Sequence, residues 1–375
     1  MEDRGEMEII PAMLRVFVWA KTKDFKGHDP HDLLESPIFG KLAESKAELA
    51  KLVVLQLGRR SSLNLHSWLR VPERENPKAL ALFISGLTRT KATATDDWLN
   101  IAEQLAERLL KISDIAWGYP FAWQSRTHFV ARDAPTIVAT SFVAQALLDL
   151  FEITREPNLL ATAERSAKWI LASIPRFEVG EELAFGYGPN DPQIVFNASL
   201  LGAELIARVG EKNQDAAMIA LAKRAAEFVV SHQRPDGAWV YGLEASQTWV
   251  DGFHTGFVLT SLKRIATLTN DDNLHQSAKL GFEYFRKELI TKEGLPKYFN
   301  NSLYPIDAHS AGQAILTLSK FGDLETAKLV AMSVIQLLQS PEGYFYYQAH
   351  KTYINKVPYM RWSNAWMFRG LAEIA

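Results

Sequence analysis

Residues 233–250 read QRPDGAWVYGLEASQTWV, and they lie between two stretches of helical apolar period. Upstream, over 213–232, Ala217, Leu221, Ala225, Phe228 and Val229 make one stripe. Downstream, 251–268 carries a second helical pattern. The 18 residues between them show no strand alternation and are rich in Trp, Tyr and Gly. A long connection of that kind is uncommon in a compact chain and usually carries function. The outer ends of the two helices meet short turns instead: Gly210-Glu211-Lys212 on one side and Asn270-Asp271 on the other.

The same grammar extends in both directions. The periodicity predicts helices over 41–58, 77–88, 96–112, 134–154, 157–173, 192–209, 213–232, 251–268, 272–290, 307–320, 323–339 and 362–375. Long connections at 59–76, 113–133, 174–191, 233–250, 291–306 and 340–361 alternate with short ones at 89–95, Glu156-Pro157, Gly210-Glu211-Lys212, Asn270-Asp271 and Gly322-Asp323. That alternation makes six helical hairpins with every long loop on one face. The predicted fold is all-α, an (α/α)6 toroid, in which 41–58 and 362–375 close the ring. A loop glycine recurs at Gly118, Gly186, Gly237, Gly294 and Gly343, mostly about 50 residues apart, which is a repeat signature. Residues 1–40 read as an N-terminal arm or lid, and 41–375 as one toroid domain.

Composition removes several functions. The formal net charge is −2, which lacks the basic surplus of a nucleic-acid binder. With no cysteine there is no disulfide, no Cys-ligated zinc and no thiol nucleophile. No apolar run approaches the ~18 residues of a membrane span, so a soluble, cytoplasmic protein is expected. No phosphate loop, dinucleotide fingerprint or serine-hydrolase elbow occurs, and no cofactor is expected. His28-Asp29-Pro30-His31-Asp32 holds metal-ligand types, but Pro30 forbids a helical arrangement of its two histidines; no metal is expected, and an ordered loop is. The sequence leaves the oligomeric state open.

Two short stretches resemble known families. Gln233-Arg234-Pro235-Asp236-Gly237-Ala238-Trp239 resembles the Q-x3-G-x-W motif of terpenoid cyclases and prenyltransferases, with a degenerate copy at Gln339–Phe345. The resemblance implies that this motif ties a helix end to the next loop. The acidic box and the zinc cysteine of those enzymes are absent. Trp249-Val250-Asp251-Gly252-Phe253-His254 resembles a stretch of the unsaturated uronyl hydrolases, which share the toroid; the resemblance implies that Asp251 is the acid/base. The arrangement, with Gly27–Asp32 followed by Ser36-Pro37, is also similar to uncharacterised toroid proteins encoded near surface-polysaccharide genes.

The long loops gather the chemistry. Ten of the eleven tyrosines fall on them, which suits stacking on sugar rings. Acidic residues recur at predicted starts of inner helices: Asp133, Asp191, Asp251 and Asp307. Asp is also a preferred N-cap, so a structural role competes with a catalytic one. Two carboxylates about 5–9 Å apart across the funnel would serve glycoside hydrolysis. The catalytic candidates are Asp251, Asp191, Asp307, His254 and His309. The substrate-binding candidates are Trp117, Tyr119, His128, Arg132, Tyr187, Asn197, Trp239, Tyr241, Trp249, Tyr359, Arg361, Trp362 and Asn364.

These residues point to an enzyme acting on an acidic, uronic-acid-containing oligo- or polysaccharide, with hydrolysis of a glycosidic bond first. A uronate lyase or C5-epimerase is the alternative, with His or Tyr as base and Arg361 or Arg132 holding the carboxylate. A non-catalytic glycan- or protein-binding toroid is a further alternative, and a terpenoid-cyclase-like activity a distant one.

Overall fold

The computed structural model describes residues 2–90, 96–124 and 129–375. Its helices in chain order are α1 (Glu2–Thr22), α2 (Gly40–Glu44), α3 (Glu48–Arg60), α4 (Leu65–Trp68), α5 (Pro77–Leu87), α6 (Asp96–Ile112), α7 (Ile137–Thr154) and α8 (Pro157–Ser173). Then come α9 (Phe196–Asn213), α10 (Ala216–Ser231), α11 (Gly252–Thr269), α12 (Asp272–Glu288), α13 (Ala308–Lys320), α14 (Leu324–Leu338) and α15 (Trp366–Ala372). A wide π-helical turn over Met360–Ala365 leads into α15.

The inner helices form a closed circuit: α5 packs on α7, α7 on α9, α9 on α11, α11 on α13, α13 on α15, and α15 back on α5. Each is followed or preceded by an outer helix, and together they are the six hairpins of an (α/α)6 toroid. The inner helices are buried on most sides, and α7 and α11 are accordingly only weakly amphipathic. α7 shows this best: its composition and 18-residue length would suit a membrane span, yet the ring buries most of it.

Helix starts follow from capping. Asn76, Thr136, Asp251 and Asp307 each accept a first-turn backbone N–H at the heads of α5, α7, α11 and α13. Asp133 and Asp191, expected at two of these starts, do not cap. Asp133 sits in a left-handed turn at φ 60, three residues before the Thr136 cap, and α9 begins at Phe196, beyond Asp191.

The ring closes differently from the expectation. The stretch 41–58 is not its outer member; that place belongs to α1, which packs on α14 and α15. Ile9, Met13, Val16, Phe17 and Ala20 form its buried stripe. Residues 41–58 instead break at Ser45 into α2 and α3. The α3 helix lies outside the ring and packs through Leu55 on a small separate cluster with Leu33, Leu34 and Val71.

The glutamine–glycine motifs show why α1 belongs there. Gln233 donates to the Gly237 carbonyl and to the Ser277 carbonyl on α12, and accepts from the Ser277 hydroxyl. Trp239 donates to Val229 at the end of α10. Gln339 repeats this one seam further on: it donates to Gly343 and to Ala12 of α1, and accepts from Arg15. Gly237 and Gly343 have φ of +92 and +99, and a Cβ on either would press on the backbone of the next outer helix, at Leu280 and Arg15.

Short antiparallel ladders lie within the long loops, where no strands were expected. Arg176–Val179 pairs with Glu182–Phe185, and Ile306-Asp307, Gln348-Ala349 and Ile354-Asn355 form a three-stranded piece.

Candidate active site

A cavity of about 640 Å³ opens at the centre of the long-loop face. Its floor has a simple rule. Lys78, Val138, Asn197, Phe253 and His309, the second residues of α5, α7, α9, α11 and α13, all line it. Arg361 and Trp362 complete the circle from the turn before α15. The walls come from loop aromatics, including Tyr119, Tyr187, Tyr241, Trp249, Tyr298 and Tyr347, and from α3 through Leu52, Leu55, Gln56 and Arg59. A concave, mostly aromatic cavity with a few convergent polar groups is the usual form of a small-molecule site.

Asp251 is the acid that reaches this cavity. Its Oδ1 caps α11 by accepting the His254 N–H at 2.9 Å. Its Oδ2 accepts from Trp249 Nε1 at 3.0 Å and lies 2.7 Å from His254 Nδ1. The carboxyl is only 2 % exposed, so these contacts fix its orientation. Trp249 stacks on Tyr241 at 4.5 Å, and His254 meets the same tyrosine edge-on. Burial and the charge of Asp251 push the Tyr241 phenol upward, so it is a neutral hydrogen-bonding group at ordinary pH.

Four imidazoles face the cavity: His31, His254, His309 and His350. His309 stacks on Trp366 at 4.5 Å and stands perpendicular to Trp362. Neither of its ring nitrogens has a protein partner. Burial, then the positive charges of Lys78 and Arg361, holds His309 well below the usual histidine range, and burial with Arg59 and Arg361 does the same for His31. Both are neutral imidazoles, the form that acts as a base.

Asp307, equivalent to Asp251 one repeat on, is placed differently. It is fully buried beneath Trp362 and lies outside the cavity lining. It accepts from Ser310 N at 3.0 Å, Gln348 Nε2 at 2.7 Å and Trp362 Nε1 at 3.0 Å. Burial raises its pKa. Asp191 is held in a loop, accepting from the backbone N–H of Gln193, and does not line the cavity. Among the described residues, Asp251 is therefore the one acidic lining residue.

The binding candidates divide likewise. Tyr119, Tyr187, Asn197, Tyr241, Trp249, Arg361 and Trp362 line the cavity. Trp117 and Trp239 are buried and donate to Leu109 and Val229, holding loops to outer helices. Asn364 accepts from Phe345 N and donates to the Tyr359 carbonyl, and Tyr359 is buried behind Tyr347. Arg132 pairs with Glu35 away from the cavity lining. His128 lies outside the described residues. The His28–Asp32 stretch folds over the mouth: Asp29 grips Arg361 through two contacts of 2.5 and 2.8 Å, and Asp32 lies 3.1 Å from His66.

Lys78 and Arg59 were not singled out from the sequence. Lys78 is 3 % exposed, with its ammonium 4.0 Å above the Phe142 ring and near Phe257 and Trp366. Burial, with Arg361 nearby, drives its pKa well below the usual lysine value.

No family model and no curated protein matches this chain. Solved structures do match in fold. A UGL structure with dGlcA-Glc-Rha-Glc is 11% identical, with a TM-score of 0.63 over 99% of this chain and 96% of that one. A cellobiose 2-epimerase from Bacillus thermoamylovorans is 12% identical, with a TM-score of 0.62 over 82% of this chain and 90% of that one. An unsaturated glucuronyl hydrolase specific for heparin is 12% identical, with a TM-score of 0.61 over 81% and 88%. At such identity these likenesses establish the toroid and its topology.

Proposed function

We propose that this protein is a carbohydrate-active enzyme that hydrolyses an acidic saccharide, with Asp251 as the acid/base. The carrying observation is the buried Asp251 carboxyl, held between Trp249 Nε1 and the His254 ring at the edge of an aromatic cavity. The supporting likeness is to toroid structures whose names include unsaturated glucuronyl hydrolase.

The single acidic lining residue bears on the kind of hydrolysis. A paired-carboxylate glycosidase needs a second carboxyl group about 5–9 Å away, and the described lining offers none. One carboxyl suffices when the substrate is a 4,5-unsaturated uronyl sugar. There the acid delivers a proton to a ring double bond and recovers one from the water that adds across it. The resulting hemiketal then opens and releases the rest of the saccharide. An unsaturated uronyl end is therefore the preferred substrate.

A second reading rests on the neutral imidazoles of His31 and His309. A base of that kind beside a uronate can remove the proton α to the carboxylate, leading to elimination or C5-epimerisation.

The test is turnover of uronic-acid oligosaccharides, saturated and unsaturated, followed by the ultraviolet absorbance of the enol ether. Loss of absorbance supports the hydrolase. Gain supports a lyase. Solvent deuterium incorporation without either supports an epimerase, and no turnover with any of them removes the enzyme reading.

A further inference from the structure

We infer that Arg59, carried across the cavity mouth on α3, is the residue that binds the substrate's carboxylate, and that α3 is a specificity element for acidic sugars. This rests on the acidic-saccharide reading above.

Two arginines near the cavity are already engaged. Arg361 is held by both oxygens of Asp29. Arg132 is paired with Glu35. Neither has its charge free for a ligand. Lys78 sits on the floor against the faces of Phe142, Phe257 and Trp366, where its burial disfavours the ammonium form.

Arg59 differs from all three, and also from Arg60, which lines the cavity but is exposed to solvent. It lines the cavity, no ion pair engages it among the described residues, and its Nε has no protein partner. Its hydrogen-bonding neighbour is the hydroxyl of Tyr347. The nearby acid, Asp307, is occupied by Ser310, Gln348 and Trp362. The Arg59 guanidinium is only partly shielded from water, and a bound carboxylate would give it the ion-pair partner it lacks among the described residues. Its planar fork suits a carboxylate held by two hydrogen bonds.

Arg59 also shares its cavity with Tyr298 and Asp251. Burial raises the Tyr298 phenol, and the charges it feels next are those of Arg59, Asp307 and Asp251. Tyr298, Arg59 and Asp251 thus line one cavity, with the tyrosine within electrostatic reach of both charges. A uronyl ring with its carboxylate on Arg59 would present its adjoining carbons toward Asp251. Arg59 is carried by α3, which packs on the Leu33, Leu34 and Val71 cluster and touches the ring through its long loops. Substrate recognition and the acid/base thus come from separate parts of the molecule.

The experiment is titration calorimetry on the full-length protein and its R59M, R59K and K78M variants. The two ligands are a disaccharide with an unsaturated uronyl end and its carboxyl-reduced, neutral counterpart. Wild type is expected to prefer the acid at least tenfold. R59M should erase that preference while binding the neutral ligand within about twofold of wild type, which also reports that it is folded. R59K should recover part of it, and K78M should keep it. The inference is overturned if wild type shows no preference, if R59M retains it, or if only K78M removes it. Arg59-dependent binding without turnover would end the hydrolase reading and leave this one standing; turnover indifferent to Arg59 would do the reverse.

Discussion

His254 Nδ1 lies 2.7 Å from Asp251 Oδ2, and the two residues are three positions apart at the head of α11. The same carboxyl caps the helix and faces the cavity, so its two roles must be separated by experiment. Asp251→Asn keeps the capping oxygen and removes the acid. It should lower kcat by about a thousandfold or more and shift Tm by only a few degrees. Steady-state kinetics with a melting curve checks both. Retained turnover would take Asp251 out of the mechanism.

Asp307 gives the contrasting case. Asp307→Ala would remove a cap and strand the Trp362 indole N–H and the Gln348 amide without partners. The expected loss is about 3–5 kcal/mol of stability, read by denaturant unfolding. Because Asp307 does not line the cavity, the folded fraction should keep turnover within about tenfold of wild type. A thousandfold loss in folded protein would instead make Asp307 catalytic.

Asp149 sets an acid limit on stability. Burial opposes its charge, but Arg208 at 2.8 Å, with Arg89 and Arg369, holds its pKa down to about 2. A depressed carboxyl stabilises the fold above its unfolded value. That contribution is lost as pH falls through the folded one. Asp149→Asn should therefore cost about 2 kcal/mol at neutral pH and almost nothing near pH 2. Unfolding curves across that range test it; a difference independent of pH would refute the linkage.

Gly343→Ala tests the seam between α14 and α1. The new Cβ would sit 2.9 Å from the Arg15 carbonyl oxygen, at a φ of +99 that alanine resists. About 2–4 kcal/mol should be lost. Hydrogen exchange should show α1 opening before the rest of the ring. Uniform loosening throughout would contradict the seam.

The toroid was legible because its signal is an alternation of connection lengths, which survives errors of several residues at helix ends. The outer place of α1 was not, since Pro11 and Arg15 interrupt a stretch whose Ile9, Met13, Val16 and Ala20 nevertheless share one helical face. Asp251, His254 and His309 were legible as first-turn residues of inner helices. Lys78 follows the same rule, two residues after the Asn76 cap, and that register would have found it. Asp307 was misplaced because a cap facing the cavity and one buried under Trp362 look alike in sequence. Arg59 left no local signal: the role proposed for it depends on Asp29 and Glu35 pairing with other arginines across the molecule.

The Gln339–Ala12 hydrogen bond joins positions 327 residues apart. This has a consequence for how the chain is made. As residues emerge in order, α1 must wait for α14 and α15 to be synthesised before it finds its neighbours. Until then Phe17 can reach Trp98 of α6, but the rest of the stripe lacks the cover of α14 and α15. Full docking of the first helix thus requires the last ones, and the nascent, open ring is a state exposed to aggregation.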